Sequence, residues 1–225
     1  TVGWLSADGW NSSAGSDYER WNYLWTRVMT QSGVRVNGRV GMTLSAFWAC
    51  AKMIAEDIAK LQINMCELDS MGNKQIRNNH PLYKYISITP DGQIRAQKYW
   101  ETMILWALVW GDGFALIGPR DRSNGQITGL ELLHPNRVDV RVENGIRTYY
   151  VYPNETDRAN NNNGRPYSAD RIYHLDGIGD KWSGYPIATF ARESLGIALS
   201  LQELQSALFA NGMNLGGILK TAQKL

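Results

Sequence analysis

The chain has 225 residues, 44% of them apolar, and 23 Lys+Arg against 21 Asp+Glu give a formal charge of +2. That apolar share can fill a sizeable core, which excludes a disordered chain, and the length suits one large domain or two small ones. Near-neutral charge argues against a protein that grips nucleic acid through its phosphates. The longest unbroken apolar run, MILWALVW at 103–110, falls far short of the roughly 20 residues of a membrane-spanning helix.

Residues 1–42 are rich in Gly, Ser and Asn, with tryptophans among them. Ser16 and Glu19 suit a capping box ahead of a Tyr18, Trp21, Leu24, Trp25, Val28 stripe at helical spacing. This arm either packs on its own domain or docks its Trp21 and Trp25 on a neighbouring molecule, since aromatics supply much contact area per residue. From Thr43, read as an N-cap, Leu44, Phe47, Trp48, Ala51, Ile54, Ala55 and Ile58 recur at helical spacing, the pattern of one core-facing helix. Residues 61–68 read as a strand, followed by a turn at 70–73 and a second short strand.

A second helix is expected over Ile94–Trp110, apolar all round in its last two turns and stopped by Gly111-Asp112-Gly113. Short antiparallel strands follow at 114–117, 127–133, 138–142 and 147–152, with Asn144-Gly145 as a hairpin signal. Residues 153–168, with four consecutive asparagines, read as a mobile surface loop, and 172–175 as a further strand. The last helix runs from Pro186 to Ala210, about 37 Å long, and stops at Asn211-Gly212. Its apolar residues, Leu195, Leu199 and Phe209 among them, fill an arc of roughly 220°, wider than a single core requires. Its second flank is therefore covered either inside the domain or by another subunit.

Little here points to chemistry. Cys50 and Cys66 lack CxxC spacing and read as small packing residues in a reduced compartment. His80 and His134 precede prolines and His174 lies in a strand-like run, with no zinc spacing among them. Asp176-Gly-Ile-Gly-Asp180 lacks the ligand pattern of a calcium loop and reads as a glycine-rich turn. One hydrolytic reading pairs His174 with Asp176 or Asp180 near Ser183; another, resting on nine tryptophans, is an aromatic-rich module for glycans or peptides. No catalytic residue, metal site or cofactor is assigned. The residues themselves define an α+β domain with long helices, one carrying surplus apolar surface.

A series of segments, in order, resembles the portal proteins of tailed bacteriophages. GMTLSAFWACAKMIAEDIAKLQINMCE is similar to that family's first helix and strand, NHPLYKYI to its "hPly-ll" segment, and WETMILWALVWGDGFALIGPRDRSNGQITGLELLHPNRVDV to its helix, "l-GnaY" turn and hairpin. SADRIYHLDGIGDKWSGYPI resembles "dIiHi" and "G-Spi", and Phe209, Asn211, Gly212, Gly217, Ile218 and Leu219 resemble "f-nga-p-gil". Departures are Asp112 for the usual Asn, Tyr185 for Ser and Leu215 for Pro.

The resemblance implies an N-terminal arm at 1–42, a wing-like α+β core at 43–220 with short antiparallel strands and hairpins against two or three long helices, and at 221–225 the start of a stem, clip and channel region. It implies a non-enzymatic subunit of a homo-oligomeric, dodecameric ring at the capsid vertex of the virion, assembled in the host cytoplasm. DNA would pass through that ring without sequence specificity. Terminase, the major capsid or scaffold protein and the head-tail connector would be its partners, with no membrane involved. Candidate subunit-interface residues are Leu195, Leu199, Phe209, Asn211, Trp21 and Trp25.

Overall fold

The computed structural model describes residues 30–120, 127–143, 145–179 and 182–212. A short helix α1 (Gly38–Gly41) precedes α2 (Ser45–Ala59), the hairpin β1 (Cys66–Leu68) and β2 (Lys74–Ile76), and a wide helical turn at Lys84–Ile88. Then come α3 (Ala96–Trp110), β3 (Asp112–Ile117), β4 (Leu130–Leu133), β5 (Val138–Glu143) and β6 (Ile146–Val151). The chain continues through α4 (Glu155–Ala159), β7 (Arg165–Ser168), β8 (Ile172–Asp176), α5 (Ile187–Phe190) and α6 (Arg192–Ala210). This is an α+β fold with three long helices and only antiparallel strand pairs among the described residues.

Strand β3 organises the core because successive side chains leave it on opposite faces. It is central in a sheet ordered β4-β3-β8. On one face, Ala115 packs with Tyr99, Trp100 and Met103 of α3, and Gly113 lets the helix lie on the strand, since an added Cβ would sit 2.8 Å from Met103 O. On the other, Phe114 packs with Leu133, Ile172 and the Val138, Val140 and Tyr149 side chains of the second sheet, ordered β5-β6-β7. A third cluster joins Val36, Ala188 and Leu195, with Leu44, Phe47 and Leu199 against it. Through Val36, and through Thr30 lodged against Gly196, residues 30–42 are packed into the body of the fold. The Trp100 indole donates to Ile86 O at 2.9 Å.

Several expectations change. Leu44, not Thr43, is the residue ahead of α2, and Thr43 Oγ1 instead donates to Val40 O at 2.7 Å. Only Ala51, Ala55 and Ala59 of α2 are buried, a small-residue ridge that lets α3 approach closely; Trp48, Ile54 and Ile58 remain exposed, so α2 is not a simple core-facing helix. Cys50 and Cys66 are exposed rather than packed. The strand expected at 61–68 is confined to Cys66–Leu68.

The segment 153–168 is built rather than mobile. Asn154 caps α4 by accepting the Asp157 N–H at 2.7 Å, and β7 pairs with β6. Asn161 and Asn163 take left-handed backbone, φ 53° and 58°, a conformation asparagine tolerates better than most residues, while Asn161 Oδ1 accepts from Arg141 and Tyr152 at 2.9 and 2.7 Å. The final helix is interrupted at Ala191 (φ −87°, ψ 3°), which separates α5 from α6. Gly212, at φ +64°, supplies the left-handed stop after Asn211.

Candidate functional site

The period of two along β3 and β8 brings Asp112, Phe114, His174 and Asp176 to one face, with Phe114 opposite His174 and Asp112 opposite Asp176 in the register. The Asp112 carboxylate is fully buried. Its Oδ1 accepts the Gly184 N–H at 2.8 Å and the His174 Nε2–H at 3.0 Å, and its Oδ2 accepts the Ser183 hydroxyl at 2.8 Å. The His174 ring stacks on Phe114 at 4.5 Å. Arg147 Nη1 lies 3.1 Å from His174 Nδ1; because a guanidinium only donates, Nδ1 accepts and the imidazole proton sits on Nε2. Tyr149 OH and Asp176 Oδ1 also approach Nδ1, at 3.1 and 3.3 Å. Burial pushes the Tyr149 hydroxyl pKa upward against the opposing pull of Arg147.

Glycines make this burial possible. Three loop backbones meet at Gly111, Gly177 and Gly184, where the Gly177 N–H donates to Gly111 O at 3.0 Å. A Cβ on Gly184 would fall 1.8 Å from Gly111 O and one on Gly177 2.2 Å from the same oxygen. Gly111 itself has φ +97°. The Gly-Asp-Gly stop is thus half of a backbone knot whose other half lies some 70 residues on.

The geometry differs from the one that the hydrolytic reading of His174 and Ser183 requires. A serine nucleophile needs a base on its hydroxyl and a third group orienting the base. Here the carboxylate is in the middle, both His174 and Ser183 donate to it, and no imidazole nitrogen serves Ser183. Asp180 lies outside the described residues. Ligand atoms of Asp112, His174 and Asp176 do come within 4.8 Å of one another, yet Arg147 Nη1, 3.2 Å from Asp176 Oδ1 and 3.1 Å from His174 Nδ1, already supplies the positive charge a metal would bring. The arrangement holds strands and loops together.

The second candidate region is apolar. On α6, Ile197, Leu201, Leu204 and Leu208 recur at spacings of four, three and four, within about 60° of one another at 100° per residue. All four are exposed, as is Phe209 at 67%. Of the interface candidates, Leu195 is 8% exposed inside the chain's own third cluster and Leu199 packs against that cluster, on the face of α6 opposite the exposed stripe. Phe209 and Asn211 lie at the exposed end, and Trp21 and Trp25 fall outside the described residues. Trp100 is buried, and Trp106 and Trp110 are half-buried around His134, with ring centroids 5.0 and 4.8 Å away. These three rings are committed to the core, contrary to the row of exposed rings that an aromatic binding module would present.

The sequence profile of the family described as phage portal protein matches residues 45–225, and the chain belongs to that family. It is 29% identical over 196 residues to the portal protein of Enterobacteria phage HK97, covering 84% of this chain and 43% of that protein. The fold is similar to chains in two solved structures, "Neck of empty GTA particle computed with C6 symmetry" (TM-score 0.58, 14% identity) and "Neck of native GTA particle computed with C12 symmetry" (TM-score 0.54, 15% identity). Each covers 82% of this chain, which in turn covers 46% and 45% of those chains. The chain therefore spans under half the length of each of these three proteins.

Proposed function

We propose that the protein is a subunit of a homo-oligomeric portal ring at the capsid vertex, forming part of the wall around a channel for packaged and ejected double-stranded DNA. The observation that carries this reading is the α6 stripe: four aliphatic side chains at helix-packing spacing, exposed on a chain of the portal family. A ring built from one kind of subunit needs surfaces that only another copy covers. The neck structure with C12 symmetry supports a dodecamer. The near-zero net charge suits a wall past which DNA slides, because each phosphate gripped by a cation would tighten binding. On this reading the ring is also the platform for terminase and the head-tail connector, the chemistry of packaging resides in those partners, and the ring is assembled in the host cytoplasm before joining the virion.

The test is the mass of the assembled protein by light scattering or native mass spectrometry, with electron microscopy of the particle. A ring of about twelve copies is expected. A single copy at every concentration overturns the reading.

A further inference from the structure

We propose that the ring contact is made by two unlike helix faces, the exposed stripe of α6 in one copy packing along the bare flank of α2 in the next. This rests on the ring reading above and adds the identity of the surfaces.

The first face is the Ile197-Leu201-Leu204-Leu208 stripe. The second is on α2, where Ile54 and Ile58 stand one turn apart beside the alanine ridge. The same side of α2 begins at Phe47, which is covered by the third cluster together with Leu195 and Leu199. Beyond Phe47 on α2 and Leu199 on α6 the cover given by the third cluster ends: Ile54 and Ile58 are exposed, and so is every residue of 201–212. Each copy therefore carries bare aliphatic side chains on α2 and an apolar stripe on the face of α6 away from Leu195.

Charge narrows the occupant. From Ser194 to Ala210 the only charged residue of α6 is Glu203. A helix that lies on a membrane carries Lys or Arg along its polar face, and a nucleic-acid contact needs them for the phosphates; α6 has neither arrangement. The charges near the α2 flank are matched within that helix, Lys52 with Glu56 at 3.4 Å and Lys60 with Asp57 at 2.9 Å, so the flank presents aliphatic surface without an unbalanced charge. Both faces suit an apolar helix, and rows of side chains four apart are the ridges by which helices interdigitate. Because the faces differ, their contact is head-to-tail, the type that closes into a ring; a stripe pairing with its own copy would end as a two-fold dimer.

Cysteine cross-linking of the assembled protein tests the pairing. Cys50 is exposed near the flank of α2 and serves as a native probe once Cys66→Ser removes the other thiol. Ile197→Cys, Leu201→Cys, Leu204→Cys and Leu208→Cys are each combined with Cys50, and, in a Cys50→Ser background, with Ile54→Cys or Ile58→Cys. After mild oxidation at least one pairing is expected to give a non-reducing ladder of multimers, with the α6 cysteines alone giving none. A ring-sized mass with no ladder from any pairing overturns the α6–α2 contact and leaves the ring reading standing. Dimers from a single α6 cysteine, or a cross-link closed within one copy, overturn it as well. The mass of one copy removes the ring reading, and this contact with it.

Discussion

At the knot of Gly111, Gly177 and Gly184 a carboxylate is sealed from water with three donors around it, whereas along α2 and α6 aliphatic side chains that water disfavours stay bare. Burying Asp112 is tolerable only because every neighbour is matched to it, since a buried ionised group left unpaired costs far more than a hydrogen bond returns. The knot is complete within one chain. The helical stripes are incomplete in the same sense: their burial, worth on the order of 1.5 kcal/mol or more for each side chain fully covered, is not gained among the described residues. The first region specifies a fold; the second, on the ring reading proposed above, is where free energy of association would come from.

The largest effects are expected at the knot. Gly184→Val places side-chain atoms where Gly111 O already lies, 1.8 Å from the added Cβ, and neither backbone can withdraw without breaking β3 from its loop. A loss of about 3 kcal/mol or more in urea unfolding, or no soluble protein, is expected; near-native stability would show that the knot is pliable. Asp112→Ala leaves the Gly184 N–H and the His174 Nε2–H without this acceptor and removes the nearer acceptor of the Ser183 hydroxyl, Gly184 O lying at 3.3 Å, at a cost of about 3 kcal/mol. Asp112→Asn keeps one oxygen and can donate to the Ser183 oxygen after a hydroxyl rotation, so about 1 kcal/mol is expected. Equal losses for the two variants would mean that charge, not hydrogen-bond matching, holds the junction.

On α6 two leucines separate folding from assembly. Leu195→Ala removes methyl groups from a buried site against Val36 and Ala188, and about 2.5 kcal/mol of stability is expected to go with them. Leu204→Ser, on the opposite and exposed face, is expected to change single-chain stability by about 0.5 kcal/mol or less. It should nevertheless lower the assembled fraction severalfold in sedimentation or light scattering. Leu204→Ser unfolding the chain, or leaving assembly untouched, would end the division between the two faces.

Sequence periodicity located the middle of the fold well. The apolar run before Gly111 is α3, and the strands expected at 114–117, 138–142, 147–152 and 172–175 appear as β3, β5, β6 and β8 within a residue or two. The surplus apolar arc of the last helix was readable because it depends on one helix's own wheel. Asp112 was visible only as part of a turn: its role needs His174 and Ser183, which strand pairing brings in from more than sixty residues away. Its one local signal was a carboxylate where the family resemblance leads one to expect Asn. The exposure of Ile54 and Ile58 was equally illegible, since a helical stripe does not declare whether its partner lies in the same molecule. The asparagine run misled because left-handed backbone and side-chain acceptance at Asn161 supply order without apolar burial.

The smallest expected effect lies at His134, which shares features of both regions: a polar ring half-buried against Trp106 and Trp110, with Nδ1 accepting the Asn136 N–H at 3.2 Å. Burial holds its pKa below the ordinary 6.5, outweighing Glu155, whose Oε1 is 3.9 Å away and already receives Arg39 at 2.9 Å. The unfolded chain then binds this proton more readily than the folded one, so stability falls as pH drops through 6.5. Protonation also removes the Nδ1 acceptor from the turn it caps. His134→Asn keeps a capping acceptor without a titrating group, so its unfolding midpoint should decline less between pH 7 and about 5 than that of the unaltered chain. Carboxylates elsewhere titrate alike in both proteins, and the difference between the two curves isolates the histidine. Parallel curves would mean that the ring of Trp106 and Trp110 admits enough water to carry the charge.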